Sequence, residues 1–438
     1  MRALRRSGWR VGLLAVVVVI AVLGMAPTRG TILELRAGGV TTGPSGAVKT
    51  VPPTAPDRFV DGTSVLDSAD RSDPSVAERI RSDRSWLRSG SVPGAGEFRG
   101  MAERALLDLR VLTSDTGALM AAPVTAWRHV WPRDASFAIA AYSVTGHHAE
   151  AADVFGFLSR VAPADGRWEA RYRTDGSGPP DDRPQQLDGS GWVLWALWTF
   201  VHTAPDDELV DDVVSAMRPA AVASADAIVE SLGDDGLPEA SSDYWEKSEE
   251  KVTLGIAAPL SVGLRAAVDL AGVLDVDPAR WRSASDRLDE AVDETFGAHG
   301  YPRTLPDGGD DAAVTFLAPP FAPVSDPVSA AVEDAERSLR VPNGGHRPGE
   351  VWTKDVGVAW TPETAMFALA LAGQGDREGA ERLLTFLDEH RTPQGSLPEK
   401  VDARADPASV APLAWTSSLV LLTLTALDGE LPVVPGPD

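Results

Sequence analysis

Ser241–Gly255 reads SSDYWEKSEEKVTLG and separates two stretches with apolar residues at helical spacing, Leu209–Leu232 and Ile256–Leu274. A polar connection of that length between two helices is uncommon in a compact domain unless the loop has work of its own. Within it, Glu246 follows directly after Tyr244 and Trp245. A carboxyl beside large apolar rings is partly desolvated, which raises its pKa toward the range of a general acid. By itself the stretch reads at least as well as a solvated acidic turn that contains a tryptophan.

The same alternation of helix and long loop extends in both directions. From Asp67 onward the chain is helical in pattern, with further periodic stretches such as Phe137–Val144, Ala279–Phe296, Val328–Leu339, Ala365–Leu371, Ala380–Leu387 and Ala411–Leu427. No convincing run of alternating strands competes with them, so the fold class is all-α, with about a dozen helices from Phe98 to the end. They fall in pairs. Short connections such as Thr145–Glu150 and Ala372–Gly379 alternate with long ones: Thr113–Trp131, Ala162–Leu187, Gly233–Gly255, Gly297–Asp326, Val341–Trp360 and Thr392–Ser409. Six long loops at one end of six helix pairs predict a ring of helices inside a second ring, with a site at the loop-rich rim. An irregular helical domain with decorative loops has the same periodicity.

Composition narrows the chemistry. A net charge of −24 argues against nucleic acid, which is gripped by clustered Lys and Arg. The absence of cysteine excludes disulfides, thiol nucleophiles and thiolate metal sites. Thirteen tryptophans against four tyrosines is an unusual ratio. A flat indole face with one hydrogen-bond donor suits the apolar face of a sugar ring, although most of the thirteen are expected to fill a helical core. No metal or cofactor is expected: His147 and His148 near Glu150 read as a solvated helix start, and Asp181-Asp182 does not form a calcium loop.

Ahead of the body, Arg2, Arg5, Arg6 and Arg10 precede an apolar run from Val11 to Pro27. That is the shape of an export signal, and residues 1–27 are read as a signal peptide or an uncleaved membrane anchor with its arginines in the cytoplasm. Arg5-Arg6 adds a weak twin-arginine hint. Residues 28–66, rich in Gly, Pro, Ser and Thr, read as an extended spacer with a short strand around Thr31–Leu35. The folded body is then expected at 67–430, extracytoplasmic and monomeric.

Each long loop carries polar chemistry. The first ends in TAWRHVWPRDASF (Thr125–Phe137), where Arg133 and Asp134 can grip adjacent hydroxyls, one donating and one accepting. Helix capping by Asp134 is the plainer explanation of that pair. The second ends in DDRPQQLDGSGW from Asp181, the fifth holds NGGHRPGEVW from Asn343, and the sixth holds TPQGSLPEKVD from Thr392.

The order WPRD, RPQQLDG, DYWE, RPGEV and SLPEKVD resembles the glucoamylase and glucodextranase family, glycoside hydrolase family 15, over about Ala105–Ala426. The resemblance implies a six-hairpin α/α toroid and hydrolysis of α-glucosides from the non-reducing end with inversion. It implies Glu246 as general acid and Glu399 as general base. Arg133, Asp134, Trp131 and Trp245 would bind the glucose at the cleaved position, Arg347 would be a substrate-binding arginine, and Asp188 a supporting residue. Trp245 would keep Glu246 protonated, while the Gly/Ser/Pro loop with Lys400 would keep Glu399 ionised. Three positions depart from the pattern: Lys247 after the acid, Lys400 after the base, and the less aromatic TPETAMF from Thr361. The two lysines motivate an alternative, a membrane-tethered toroid that holds glycan without cutting it.

Overall fold

Helices of two kinds alternate along the chain, and the alternation builds the fold. The computed structural model describes residues 30–436 apart from 44, 45, 95 and 430. After a first helix, α1 (Pro74–Ser89), the elements come in pairs. These are α2 (Arg99–Leu112) with α3 (Pro132–Val144), α4 (His148–Val161) with α5 (Asp188–Thr203), and α6 (Asp207–Ser231) with α7 (Leu254–Asp269). Then follow α8 (Ala279–Thr295) with a 3-10 turn at Ala312–Leu317, α9 (Asp326–Leu339) with α10 (Thr361–Gly373), and α11 (Arg377–Glu389) with α12 (Ala414–Leu427).

The second member of each pair is buried on all sides: in α5 every residue from Asp188 to Phe200 is buried, and in α10 every residue from Thr361 to Ala372. A helix apolar all round belongs inside. The first members from α4 onward bury one stripe, as in α9, where Val328, Ala331, Val332, Ala335 and Leu339 face inward at helical spacing, whereas α2 is buried over most of its length under the N-terminal segment. The inner members close a ring, with α3 on α5, α5 on α7, α7 on the 3-10 turn, the turn on α10, α10 on α12, and α12 back on α3. Glycine lets α5 and α7 approach. A Cβ on Gly263 would lie 2.5 Å from the Cα of Gly191, and one on Gly191 would lie 2.1 Å from the carbonyl oxygen of Pro259. The architecture is the six-hairpin α/α toroid, and every long connection leads from an outer to an inner element, at one end of the ring.

Three expectations change. First, the fourth inner position is a six-residue 3-10 turn inside what reads as one loop, Gly297–Asp326. Six residues are too few to show a helical period, and Pro319-Pro320 ends the run. Second, residues from Gly30 onward are not a free spacer. Gly39–Thr42 and Val48–Val51 pair antiparallel, with Gly39 opposite Val51, and Ala37, Val40 and Val51 are at most 1% exposed. Leu35 makes only a bridge to Ser409, so the strand expected at Thr31–Leu35 lies further along. The segment is tied to the last long loop by Arg36 N–H to the Ser409 carbonyl (2.8 Å) and Gln394 Nε2 to the Ala55 carbonyl (2.9 Å).

Third, His147 is not solvated: it stacks on Trp86 with centroids 3.9 Å apart, and burial pushes its pKa down to about 4. Most of the tryptophans fill the core as expected: eight belong to it, of which Trp245 and Trp415 also line the rim cavity described next together with four others, and Trp9 lies outside the described residues. The expected signal or anchor at 1–27 also lies outside the described residues, and among those described no helix is long and apolar enough to cross a membrane.

Candidate active site

At the long-loop end the inner ring opens into a cavity of about 280 Å³. Trp127, Trp131, Trp245, Trp352, Trp360 and Trp415 line it, and Glu246, Glu399, Glu363, Arg133 and Asp134 supply its polar groups. Apolar walls with a few converging polar groups are the ordinary makeup of a small-molecule site.

Glu246 is set by a buried turn. The Asp243 carboxylate accepts from Trp245 N–H (2.9 Å) and from the Thr253 hydroxyl (2.8 Å), while the Glu246 N–H returns to the Asp243 carbonyl (2.8 Å). Glu246 itself has φ 54°, a left-handed conformation unusual for a non-glycine residue. Beneath Trp245, the guanidinium of Arg303 lies 3.7 Å from the ring centroid and bridges Asp243 (2.7 Å), Glu249 (2.7 Å) and Asp311 (3.2 Å). Trp131 Nε1–H donates to Glu246 Oε1 at 2.6 Å.

Glu399 is set by a small sheet. Ala359–Trp360 pairs with Lys400–Val401, which pairs in turn with Pro407–Ala408, all antiparallel. Glu399 N–H donates to the Val410 carbonyl (2.8 Å), and its carbonyl accepts from Thr361 N–H (3.0 Å) at the start of α10. The Ser409 hydroxyl donates to the Glu399 carboxylate.

The inner end is the Arg133–Asp134 pair, 3.3 Å apart and buried at the start of α3. Asp188 stands 3.5 Å from the same guanidinium, which lies over the Trp415 ring at 4.6 Å. Gln186 joins this cluster to the turn that carries Glu246: its Oε1 accepts from Arg133 (3.4 Å) and its Nε2 donates to the Asp243 carbonyl (3.1 Å). Burial raises both Asp134 and Asp188 to about 6, with Arg133 opposing.

The structure therefore brings Trp131, Arg133, Asp134, Trp245, Glu246 and Glu399 to one cavity and puts Asp188 behind it. It corrects two expectations. Arg347 does not reach the cavity; its backbone N–H and guanidinium meet the carbonyls of Leu339 (3.0 Å) and Ser338 (3.5 Å). Those carbonyls end α9, where a helix lacks internal partners and attracts cations. Arg171 and Arg183 line the cavity instead. The expected shielding of Glu246 by its neighbouring tryptophan is also not found. The Glu246 side chain is 30% exposed and ion-paired with Arg183. Burial pushes Glu399 above its ordinary value, opposed by Lys400, the Ser409 hydroxyl and the Trp127 indole.

Sequence reading missed Arg183, Ser409, Gln186 and Glu363. The first and third sit inside RPQQLDG, and their place in that motif was the only signal for them. Lys247 lies over the rings of Trp245 (4.6 Å) and Trp352 (4.2 Å), and Lys400 over Trp360 (3.7 Å) while pairing with Asp355 at 3.0 Å. Among the described residues no cluster of His, Asp and Glu has the arrangement of a metal site.

No protein-family profile matches the chain. An uncharacterized glycosyl hydrolase of Methanocaldococcus jannaschii is 30% identical over 123 residues, 28% of this chain and 20% of that protein. A trehalase of Mycolicibacterium smegmatis is 35% identical over 94 residues, 18% of this chain and 14% of that protein. The chain thus matches a fifth or less of the length of these curated relatives. Among solved structures, a glycosidase superposes with a TM-score of 0.67 at 21% identity, over 77% of this chain and 100% of that one. A glycosidase in complex with glucose gives 0.65 at 22% identity, with the same coverage. A bacterial glucoamylase complexed with acarbose gives 0.62 at 16% identity, over 81% of this chain and 59% of that one. The chain has the fold of glucoamylases and related glycosidases.

Proposed function

We propose that the chain is an exported, inverting, exo-acting hydrolase of α-glucosides, with Glu246 as general acid and Glu399 as general base. The observation that carries this reading is that two glutamates from separate long loops open on one tryptophan-walled cavity ending in a buried Arg–Asp pair. Inversion needs one carboxyl to protonate the leaving oxygen and a second to activate water across the ring, about 6.5–9.5 Å away. The indole faces suit the apolar faces of a sugar, and Arg133 with Asp134 can grip its hydroxyls. A small cavity at the end of a ring favours one terminal residue over the middle of a chain. The arginines and apolar run of residues 1–27 favour export.

A glucosyl substrate is supported by the similar proteins, which include a trehalase, a glucoamylase and a glycosidase holding glucose. In the resting site Arg183 holds Glu246. Proton donation requires that pair to open and the Glu246 carboxylate to take up a proton from solvent before the leaving oxygen receives it, with Trp131 N–H remaining on the carboxyl. Ser409 and Val410 hold the base from the other side. The Arg183–Glu246 pair also favours a second reading, a toroid that holds glycan without cutting it.

The test is single substitution of each glutamate in the full chain. Glu246→Gln and Glu399→Gln are each expected to lower turnover of α-glucosides by at least about a hundredfold, with glucose binding retained. Turnover surviving both substitutions contradicts the assignment. A wild-type protein that binds sugar and turns over no member of an α-glucoside panel supports the second reading.

A further inference from the structure

Glu363 lines the cavity together with Glu399, yet the acid–base scheme above gives it nothing to do. It sits in the first turn of α10 and is 3% exposed. Its Oε2 is buried without a hydrogen-bond partner among the described residues. A buried polar atom left unpaired is costly, and such atoms are few in folded proteins. The same helix continues with Ala365, Met366 and Phe367, all buried and apolar, so an apolar side chain would suit the position by packing alone.

The charges that act on Glu363 do not explain it as an ion-pair partner. The carboxyls of Glu399 and Asp311 oppose its ionisation, and Lys400, the cation that favours it, is already held by Asp355. Burial, with its own backbone N–H opposing, pushes Glu363 up to about 8. A carboxyl that keeps its proton is both donor and acceptor, which matches the dual character of a sugar hydroxyl. The side chain is fixed at its base by helix α10, whose first N–H is bound by the carbonyl of Glu399. The unpaired oxygen therefore has a defined position relative to the proposed base.

We propose that Glu363 is a further substrate-recognising residue, whose free carboxyl oxygen hydrogen-bonds one hydroxyl of the bound sugar ring and selects for sugars that carry it. The inference rests on the glucoside reading and adds a specificity element that the recognised motifs do not contain. A site built to bond a hydroxyl rejects the analogue lacking it, because its own polar group is then left unpaired.

The experiment is equilibrium binding of glucose and the set of its monodeoxy analogues to the full chain, read by tryptophan fluorescence or calorimetry. Wild-type protein is expected to bind at least one analogue about tenfold more weakly than glucose, the one lacking the hydroxyl that Glu363 holds. Glu363→Leu is expected to bind glucose about tenfold more weakly and to be indifferent to the loss of that same hydroxyl. Glu363→Gln, whose amide keeps a donor and an acceptor, should bind glucose within about threefold of wild type and keep the discrimination. Glu363→Met serves as the apolar variant if leucine impairs folding, which circular dichroism reports. The inference is overturned if the apolar variant binds glucose as wild type does, or ranks the analogues in the wild-type order. Absence of glucose binding by the wild-type protein, by contrast, contradicts the glucoside reading itself.

Discussion

Thr361 N–H donates to the carbonyl of Glu399 at 3.0 Å, joining the first residue of an inner helix to the proposed base. The contact explains how a carboxyl on a loop rich in Gly, Ser and Pro acquires a fixed place. Glu399 is clamped between the start of α10 and Val410 and is flanked by a strand pairing on each side. Its position is thus a property of the ring and not of the loop alone.

Removing the Ser409 hydroxyl should move the acid side of the pH–rate profile. That hydroxyl donates to the Glu399 carboxylate and favours its ionised form. In Ser409→Ala the carboxyl holds its proton to higher pH, so a smaller fraction is ready to act as base at any acidic pH. The acid limb of kcat should shift upward by about one pH unit, while the fold is unchanged by circular dichroism.

Trp131→Phe tests the donor to the proposed acid. The ring stays in the cavity wall, and the 2.6 Å hydrogen bond to Glu246 is lost. Turnover is expected to fall about tenfold with KM within about threefold. A change confined to KM would assign the indole to substrate binding alone.

Arg303→Met should be costly to stability. The substitution leaves Asp243, Asp311 and Glu249 without their shared cation, two of them fully buried. A loss of about 3–5 kcal/mol in urea unfolding is expected, together with reduced activity because the Asp243 turn carries Glu246.

Gly263→Ala tests the closure of the inner ring. The added methyl would meet the Cα of Gly191 at 2.5 Å, backbone that cannot rotate away. Overpacking of this kind costs about 1–3 kcal/mol, visible as a lower denaturation midpoint with little change in KM.

Stability should be greatest on the acidic side of neutrality. Burial holds Asp108, Asp134 and Asp188 at about 6 and Glu363 at about 8, all above their unfolded values. Through these four carboxyls the folded chain binds more protons than the unfolded chain, so their contribution to stability falls as pH rises from about 4 to about 8, while buried His147, held at about 4, acts in the opposite sense below its ordinary value. Glu336 has the opposite sign. Hydrogen bonds from His346 and Arg340 overcome its burial and hold it at about 2, so its contribution is lost as pH falls below its ordinary value. Urea midpoints from pH 4 to 9 check the shape, and Glu363→Gln should flatten the upper part.

Much of this was legible in the sequence because helices announce themselves locally. The stripes of α9 and α11 and the unbroken apolar run of α12 are visible without any tertiary knowledge. The 3-10 turn at Ala312–Leu317 was not, because its burial depends on the ring around it. The hairpin at Gly39–Thr42 was hidden likewise, since short strands gain their stability from the body they pack on. At the site, motif order located Glu246, Glu399 and the Arg133–Asp134 pair. It misplaced Arg347, whose neighbours Pro348 and Gly349 turn toward Trp245 while its own side chain runs to the end of α9. Burial of the two glutamates was misjudged for a related reason. A tryptophan adjacent in sequence does not shield a carboxyl when the backbone between them adopts a left-handed turn, as it does at Glu246.

The most direct test of the central claim is the configuration of the first sugar released. The full chain is incubated with an α-linked glucoside that it turns over, and the anomeric proton is followed by NMR before mutarotation. β-Glucose appearing first, and none formed by Glu246→Gln or Glu399→Gln, is the expected result. α-Glucose appearing first would contradict an inverting pair of glutamates in this cavity.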